Sequence, residues 1–227
     1  MNAGLRAVAI IPAFNEAATI SDVVGGLQGI VDHVLVVDDG STDATAARAR
    51  LAGAEVIGHG ENRGKGHAVR SAIQSIAARD FTHAVILDGD MQHLPEEARL
   101  LLDAAARTGV DAVLGERRFG REAMPASRYH ANRLGSRVLS WFVGIRFADT
   151  QCGFRVFRVE ALRGLVLRAR GYEIETEMLV KLSRRRARIA TIPVTAVYAG
   201  QRSKLRPVRD TTRTCFLAVY YRFIERL

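Results

Sequence analysis

The chain has 227 residues, 48% of them hydrophobic, enough for one sizeable core or two small ones. Its 33 Lys and Arg outnumber 24 Asp and Glu, a basic balance that points to an anionic partner such as nucleotide phosphates, a phospholipid surface or nucleic acid. Two cysteines, Cys152 and Cys215, make neither a disulfide framework nor a metal pattern, no zinc-finger spacing or aromatic-interleaved RNA motif is present, and no stretch reaches the ~20 apolar residues of a membrane helix. Pro12, Asn15 and Glu16 cut the first apolar run short, so no secretion signal is expected and a reducing cytoplasm is the expected compartment.

Ala7 to Ile11 is a continuous apolar run, as a strand covered on both faces requires, and Pro12-Ala13-Phe14-Asn15-Glu16 ends it. Ile20, Val23, Val24 and Leu27 then recur at helical spacing. Val34 to Val37 reads as the second strand, followed by Asp38-Asp39-Gly40-Ser41-Thr42-Asp43, in which Thr42 or Asp43 can cap the next, Ala-rich helix. Glu55-Val56-Ile57 is a short third strand. Asn62-Arg63-Gly64-Lys65-Gly66-His67 opens a helix with an apolar face at Ala68, Ala72, Ile73 and Ile76.

Val85-Ile86-Leu87 reads as a buried fourth strand, and Asp88-Gly89-Asp90-Met91-Gln92-His93 follows it. Two carboxylates at alternate positions point the same way if the backbone stays extended, and Gly89 between them admits a ligand close to the backbone. Asp88, Asp90 and the Gln92 amide offer hard oxygens suited to Mg²⁺ or Mn²⁺. The same residues also fit a solvated turn at a strand end. Pro95 suits a first helical turn, with Leu94, Ala98, Leu101, Leu102 and Ala105 as the buried stripe, and Ala112-Val113-Leu114 is a fifth strand.

The second half is less regular. Gly120 to Ser127 reads as a loop, Arg128 to Val143 as a helix, and Asp149 to Arg155 as a loop entering a short strand. Glu173 to Ser183 reads as a helix, and Ile189 to Val197 as a strand that Pro193 confines to an edge or bulge. Gln201 to Arg209 is a basic loop, and Thr211 to Leu227 is a final helix. Strands alternating with helices imply an α/β fold with a mostly parallel central sheet flanked by helices, in which ligands gather at the carboxyl ends of the strands. Pro12 to Glu16, Asp38 to Asp43 and Asp88 to Gln92 all fall at those ends.

These motifs, with Gly153-Phe154-Arg155 and Glu175-Thr176-Glu177 after them, resemble family 2 inverting glycosyltransferases, nearest the group of dolichyl- or polyprenyl-phosphate mannose synthases. The resemblance runs from Ala7 to Asp210. It implies the nucleotide-sugar-binding glycosyltransferase A-type fold in a single domain over 1–227, with a nucleotide-binding half at 1–116 and an acceptor-binding half at 117–227. It also implies that Pro12, Phe14, Glu16, Val37 and Asp39 line the base and ribose pocket. Asp88, Gly89 and Asp90 would meet the sugar nucleotide, and Asp90 with Gln92, beside Asp88, would hold Mg²⁺ or Mn²⁺ on the diphosphate. Arg117 would lie beside the reacting phosphates. The chain departs from the group at Tyr198, where an arginine is usual, and at Glu116, where a small residue is common, and it has no C-terminal membrane pair.

The implied donor is a nucleotide diphosphate sugar, and the implied acceptor is a polyprenyl phosphate lipid at the cytoplasmic membrane face; no nucleic acid is expected. A lipid phosphate is already an anion and needs no general base, but it needs cations, and Arg117, Arg118, Arg128, Arg133, Ser203 and Lys204 form a suitable set. A hydroxyl acceptor would instead need a carboxylate base, for which Glu175, Glu177 and Asp149 are candidates. Glu175 and Glu177 equally fit carboxylates favoured by a helix dipole. A noncatalytic nucleotide or nucleic-acid binder is the remaining alternative. Lys65 reads as part of a tight turn near the nucleotide, and His67 and His93 read as structural. Phe216, Leu217, Tyr220, Phe223, Ile224 and Leu227 give the final helix an apolar face that either lies in the membrane interface or covers the sheet.

Overall fold

The apolar run that opens the chain becomes an inner strand. In the computed structural model, which describes residues 4–117, 135–137, 139–141, 149, 152–197, 216 and 220, β1 (Ala7–Ala13) is buried at all its positions. Ala7, Ala9 and Ile11 face one apolar layer, and Val8 and Ile10 face the other, the period of two that an extended chain dictates. β2 (His33–Asp38), β3 (Glu55–Gly58) and β4 (His83–Ile86) run parallel to β1, as the alternating pattern requires.

Four helices follow the expected stripes. α1 (Ile20–Leu27) buries Ile20, Val23, Val24 and Leu27. α2 (Thr45–Leu51) has Ala44 at its N-cap with no side-chain cap, so neither Thr42 nor Asp43 caps it, although the Asp43 carboxylate accepts the Thr45 backbone N–H at 2.9 Å. α3 (Lys65–Ile76) buries Gly66, Ala68, Val69, Ala72 and Ile76; Ile73 is only partly covered. Pro95 opens a single 3₁₀ turn (Pro95–Glu97), and α4 (Ala98–Thr108) begins after it, leaving Leu94 outside the stripe. Gly109 ends α4 in the left-handed conformation (φ 61°), its N–H donating to the Ala105 carbonyl at 2.9 Å. α1 and α4 pack on one face of the sheet. α3 packs on the other with α6 (Ile174–Arg184), which follows the short α5 (Val159–Leu162).

The strands lie in the order β3-β2-β1-β4-β6-β5-β7. β6 (Arg155–Arg158) enters antiparallel between β4 and β5 (Ala112–Arg117). With that one antiparallel strand the sheet is mostly parallel, as expected, and the boundary expected at 116/117 falls within β5. β7 (Ile189–Val194) lies at the edge beside β5, with Pro193 in register with Glu116, a position that suits a residue without an N–H. Residues 135–137 and 139–141 are helical, within the helix expected there. The loop at 120–127, the basic loop at 201–209 and most of the final segment 211–227 lie outside the described residues. No helix among the described residues is long and apolar enough to cross a membrane.

β3, the opposite edge, is clamped by charge. Arg79, just past α3, donates through both terminal nitrogens to Glu55 at 2.7 Å, and His33 Nε2 lies 2.7 Å from the same carboxylate. The Arg79 hydrogen bonds outweigh burial and, with His33, hold Glu55 down to about 2. A carboxylate held below its unfolded value of 4.5 stabilises the fold above that pH and loses the contribution as pH falls towards 2. Because the carboxylate is 35% exposed, solvent screening leaves about 1 kcal/mol. Glu55→Gln is expected to cost about that much at neutral pH and to flatten the loss of stability between pH 4.5 and 2, read by urea denaturation across that range.

Candidate active site

The carboxyl ends of β1, β2, β4 and β5 open on one pole of the sheet. There the first two loops are joined by hydrogen bonds. Asn15, in the left-handed region (φ 55°), accepts the Thr42 N–H at 2.9 Å and donates its own N–H to Ser41 Oγ at 2.9 Å, while the Glu16 N–H donates to Thr45 Oγ1 at 2.8 Å. Pro12 is buried, and Phe14 and Glu16 are partly exposed at this end. Val37 packs its side chain into the layer with α3 and α6, so any ligand contact there would fall to its backbone.

Asp39 is engaged in holding the next turn. Its carboxylate accepts the Gly64 N–H at 2.7 Å, the Arg63 N–H at 3.1 and 3.2 Å, and meets His59 Nδ1 at 2.7 Å. His59 Nε2 in turn reaches Ser71 Oγ at 3.0 Å, and the His67 ring lies edge-on to it at 4.8 Å. Gly40 (φ 73°) lets the Glu61–Asn62 backbone lie against it where a Cβ would collide.

The paired-carboxylate motif is not extended. The chain leaves the sheet after Ile86, turns at Gly89 and Asp90, and carries Met91 in the left-handed region (φ 58°), so the two side chains do not share a strand face. A Cβ at Gly89 would meet Ile20, Glu16 and Ile11 only at ordinary contact distance, 3.4 to 3.5 Å, and the Gly89 carbonyl accepts the Thr19 hydroxyl at 2.6 Å. Asp88 Oδ1 lies 2.5 Å from Lys65 Nζ, whereas Asp90 Oδ1 accepts the Gln92 N–H at 3.0 Å. Burial would raise Asp88, but Lys65 reverses this and holds it below the usual carboxylate range. Asp90 is pushed up to about 6 by burial, with Asp88 and Glu16 adding repulsion.

Lys65 is the hub. Its ammonium lies 2.6 Å from Glu175 Oε1 as well as 2.5 Å from Asp88, and although burial opposes its charge the two carboxylates raise its pKa above the ordinary value. Buried Arg155 on β6 donates Nε to the Cys152 carbonyl at 2.8 Å and one terminal nitrogen to the Glu175 carbonyl at 2.9 Å, with the other 3.5 Å from the Glu175 carboxylate. Gly153 leaves room for this grip: a Cβ there would stand 2.6 Å from Asp88 Oδ2 and 3.2 Å from Lys65 Nζ. The Tyr172 ring centroid is 5.6 Å from the same ammonium.

Glu175 and Glu177 face different surroundings. Glu177 is fully buried, accepts the N–H groups of Arg168 and Ala169 at 2.8 to 2.9 Å, and pairs with Lys181 at 2.7 Å. That is an anchoring position with no access for a substrate, so Glu177 is withdrawn as a base candidate. Asp149 is also fully buried and grips Arg117, with Nε at 2.5 Å and a terminal nitrogen at 3.0 Å, fixing this arginine at the end of β5. His93 is buried, with its pKa lowered by burial and then by Arg117, and it lies 3.6 Å from the Cys152 thiol, which burial pushes up to about 12. Arg118, Arg128, Arg133, Ser203 and Lys204 lie outside the described residues.

Two residues brought to the site were not singled out from sequence. Arg155 stood in a motif without a role, although an arginine opening the apolar run Val156-Phe157 was a signal of a buried charge needing a partner. Tyr172 carried no sequence signal. Among the described residues no three His, Cys, Asp or Glu are arranged to hold a metal ion by themselves. The donor chemistry nevertheless fits a divalent cation: Asp90 is a hard ligand crowded by Asp88 and Glu16, and added positive charge would relieve it.

The sequence profile described as "Glycosyl transferase family 2" matches residues 8–166, more than half of the chain. Glycosyltransferase AglJ of Haloferax volcanii is 34% identical over 221 residues, covering 94% of this chain and 70% of that protein. The undecaprenyl-phosphate mannosyltransferase of Micrococcus luteus is 32% identical over 206 residues, covering 85% and 84%. Among solved structures, glucosyl-3-phosphoglycerate synthase from Mycobacterium tuberculosis, in complex with Mn²⁺, uridine-diphosphate-glucose and phosphoglyceric acid, superposes with a TM-score of 0.74 at 27% identity, over 97% of this chain and 80% of that one.

The two glutamates are separable by experiment. Glu177→Gln leaves Lys181 without its buried counter-charge and is expected to cost about 3 kcal/mol in urea denaturation. Glu175→Gln still leaves Asp88 on Lys65 and is expected to cost less than half as much.

Proposed function

The chain belongs to glycosyl transferase family 2, and from that premise we propose that it transfers a hexose, with inversion, from a nucleotide diphosphate sugar to a polyprenyl phosphate. The observation that carries the choice of acceptor is the state of the carboxylates. Glu175 is held by Lys65 and Arg155, Asp149 by Arg117, and Glu177 by Lys181 and two backbone N–H groups. A carboxylate whose oxygens are already engaged by an ion pair and hydrogen bonds is not presented to an incoming hydroxyl as a base would have to be. A phosphate acceptor is already ionised and asks for no such base. The undecaprenyl-phosphate mannosyltransferase among the relatives supports the same choice.

Each residue then has a task. Lys65 holds Asp88 and Glu175 in place, and Arg155 holds Glu175 from the other side. Asp90, with Asp88 and Gln92 beside it, would hold Mg²⁺ or Mn²⁺, and such an ion neutralises the charge that develops on a leaving nucleoside diphosphate. Arg117, fixed by Asp149 at the end of β5, presents a guanidinium towards the anionic substrates. Pro12, Phe14 and Glu16 border the nucleotide end, and Asp39 shapes it through the Arg63–Gly64 turn. A lipid acceptor places the enzyme against the cytoplasmic membrane face, in peripheral contact.

The phosphoglycerate-bound relative favours a second reading, transfer to a hydroxyl of a small phosphorylated acid. In that case Glu175 would be the base and would have to leave Lys65. The test is to incubate the purified protein with sugar nucleotides and Mn²⁺, offering polyprenyl phosphate, the unphosphorylated polyprenol, or 3-phosphoglycerate in separate reactions. Product is expected from polyprenyl phosphate alone, lost on chelation of the metal, and lowered about 100-fold in kcat/KM by Asp90→Ala. Preferential turnover of polyprenol or 3-phosphoglycerate would reject the phosphate acceptor.

A further inference from the structure

Tyr172 is the one half-exposed aromatic side chain among the described residues that touches the Lys65 hub. It is 40% exposed, with its backbone fixed and its ring beside the Lys65 ammonium. Its carbonyl accepts the Glu175 N–H at 3.3 Å, and the neighbouring Gly171 carbonyl accepts the Ile174 N–H at 3.3 Å, so its backbone belongs to the start of α6. Its ring centroid lies 5.6 Å from Lys65 Nζ, a cation that Asp88 and Glu175 immobilise at 2.5 and 2.6 Å. The phenol is raised in pKa by burial first, with Asp88, Glu175 and Asp90 adding to the shift and Lys65 opposing it, so all four charged groups lie within electrostatic reach of it.

A half-exposed tyrosine beside a cluster of carboxylates and a fixed ammonium matches the chemistry of a pyranose. Sugar hydroxyls bond to the charged groups, and the C–H face of the ring needs an apolar wall. A ring already fixed by an ion-paired lysine loses little freedom when a sugar docks on it. We propose that Tyr172 is the wall of the sugar subsite, taking the C–H face of the transferred hexose while the carboxylates beside it meet the hydroxyls. This rests on the sugar-nucleotide reading above and adds to it where the sugar, as distinct from the nucleotide, is held.

The test compares ligands with and without the sugar. Calorimetric titrations with Mn²⁺ present would use UDP and UDP-glucose, and GDP and GDP-mannose, on the wild type, Tyr172→Phe and Tyr172→Ala. For the pair that the wild type binds, Tyr172→Ala is expected to weaken the sugar nucleotide about five- to ten-fold and to leave the nucleoside diphosphate within about two-fold. Tyr172→Phe, which keeps the ring, is expected to bind both within about two-fold of wild type. Equal weakening of both ligands by Tyr172→Ala would mean that the ring only packs on Lys65, and no change in either would mean that it lies off the path; both overturn the wall. So would loss of sugar binding in Tyr172→Phe, which would assign the contact to the hydroxyl. If the wild type binds neither pair, the donor reading fails, and the wall falls with it.

Discussion

A single ammonium group organises this molecule. Lys65 lies at the first turn of α3, and its two carboxylate partners come from distant parts of the chain, Asp88 after β4 and Glu175 on α6. A lysine taken this far out of water is tolerated only if its charge is answered at close range, and two carboxylates at 2.5 and 2.6 Å do that. The group that secures the fold therefore also fixes the aspartate of the strand-end motif and the glutamate facing it.

The backbone around Lys65 has been shaped to permit this approach. Gly64 (φ 94°) and Gly66 press their backbones against the carbonyls of Arg170 and Ala169, where any Cβ would collide, and the Gly66 N–H donates to the Arg170 carbonyl at 2.8 Å. That stretch is held from behind by Glu177, which gathers the Arg168 and Ala169 N–H groups. From the other direction the Asp39 carboxylate captures the N–H groups of Arg63 and Gly64. Glu177 and Asp39 thus set the position of Lys65 without touching it. Their burial and multiple hydrogen bonds are those of anchors.

Much of this was legible in the amino-acid order. Ile20, Val23, Val24 and Leu27 announced α1 through their spacing, and the uninterrupted run at Ala7 to Ile11 announced a strand covered on both faces. The loops after β1, β2 and β4 were correctly gathered at one pole, because parallel strands leave no alternative. The antiparallel entry of β6 was not legible, since Arg155–Arg158 is too short to reveal direction, and pairing with β4 is a matter of tertiary contact. Nor could spacing distinguish Glu175 from Glu177. They are two residues apart on one helix, and what separates them is which neighbours arrive from elsewhere. Asp88 and Asp90 could share a strand face only if the backbone stayed extended; the turn at Gly89 gave them different environments and set one below and the other above the usual carboxylate range.

The insertion of β6 bears on how the protein comes into being. During synthesis β4 leaves the ribosome about 70 residues before the strand that will cover its second edge, because His83 is in register with Arg158. Until then the emerging polypeptide carries Ala84, Val85 and Ile86 on a ladder with open N–H and carbonyl groups, the kind of edge that recruits foreign strands. Closing so long a loop is slow, and it is rewarded only when β6 docks and brings Arg155 and Gly153 beside Lys65. The part of the chain before β6 therefore lacks a partner for one edge of β4, and Lys65 lacks Gly153 beside it, until β6 docks. It reaches its final form in the same late event that assembles the site.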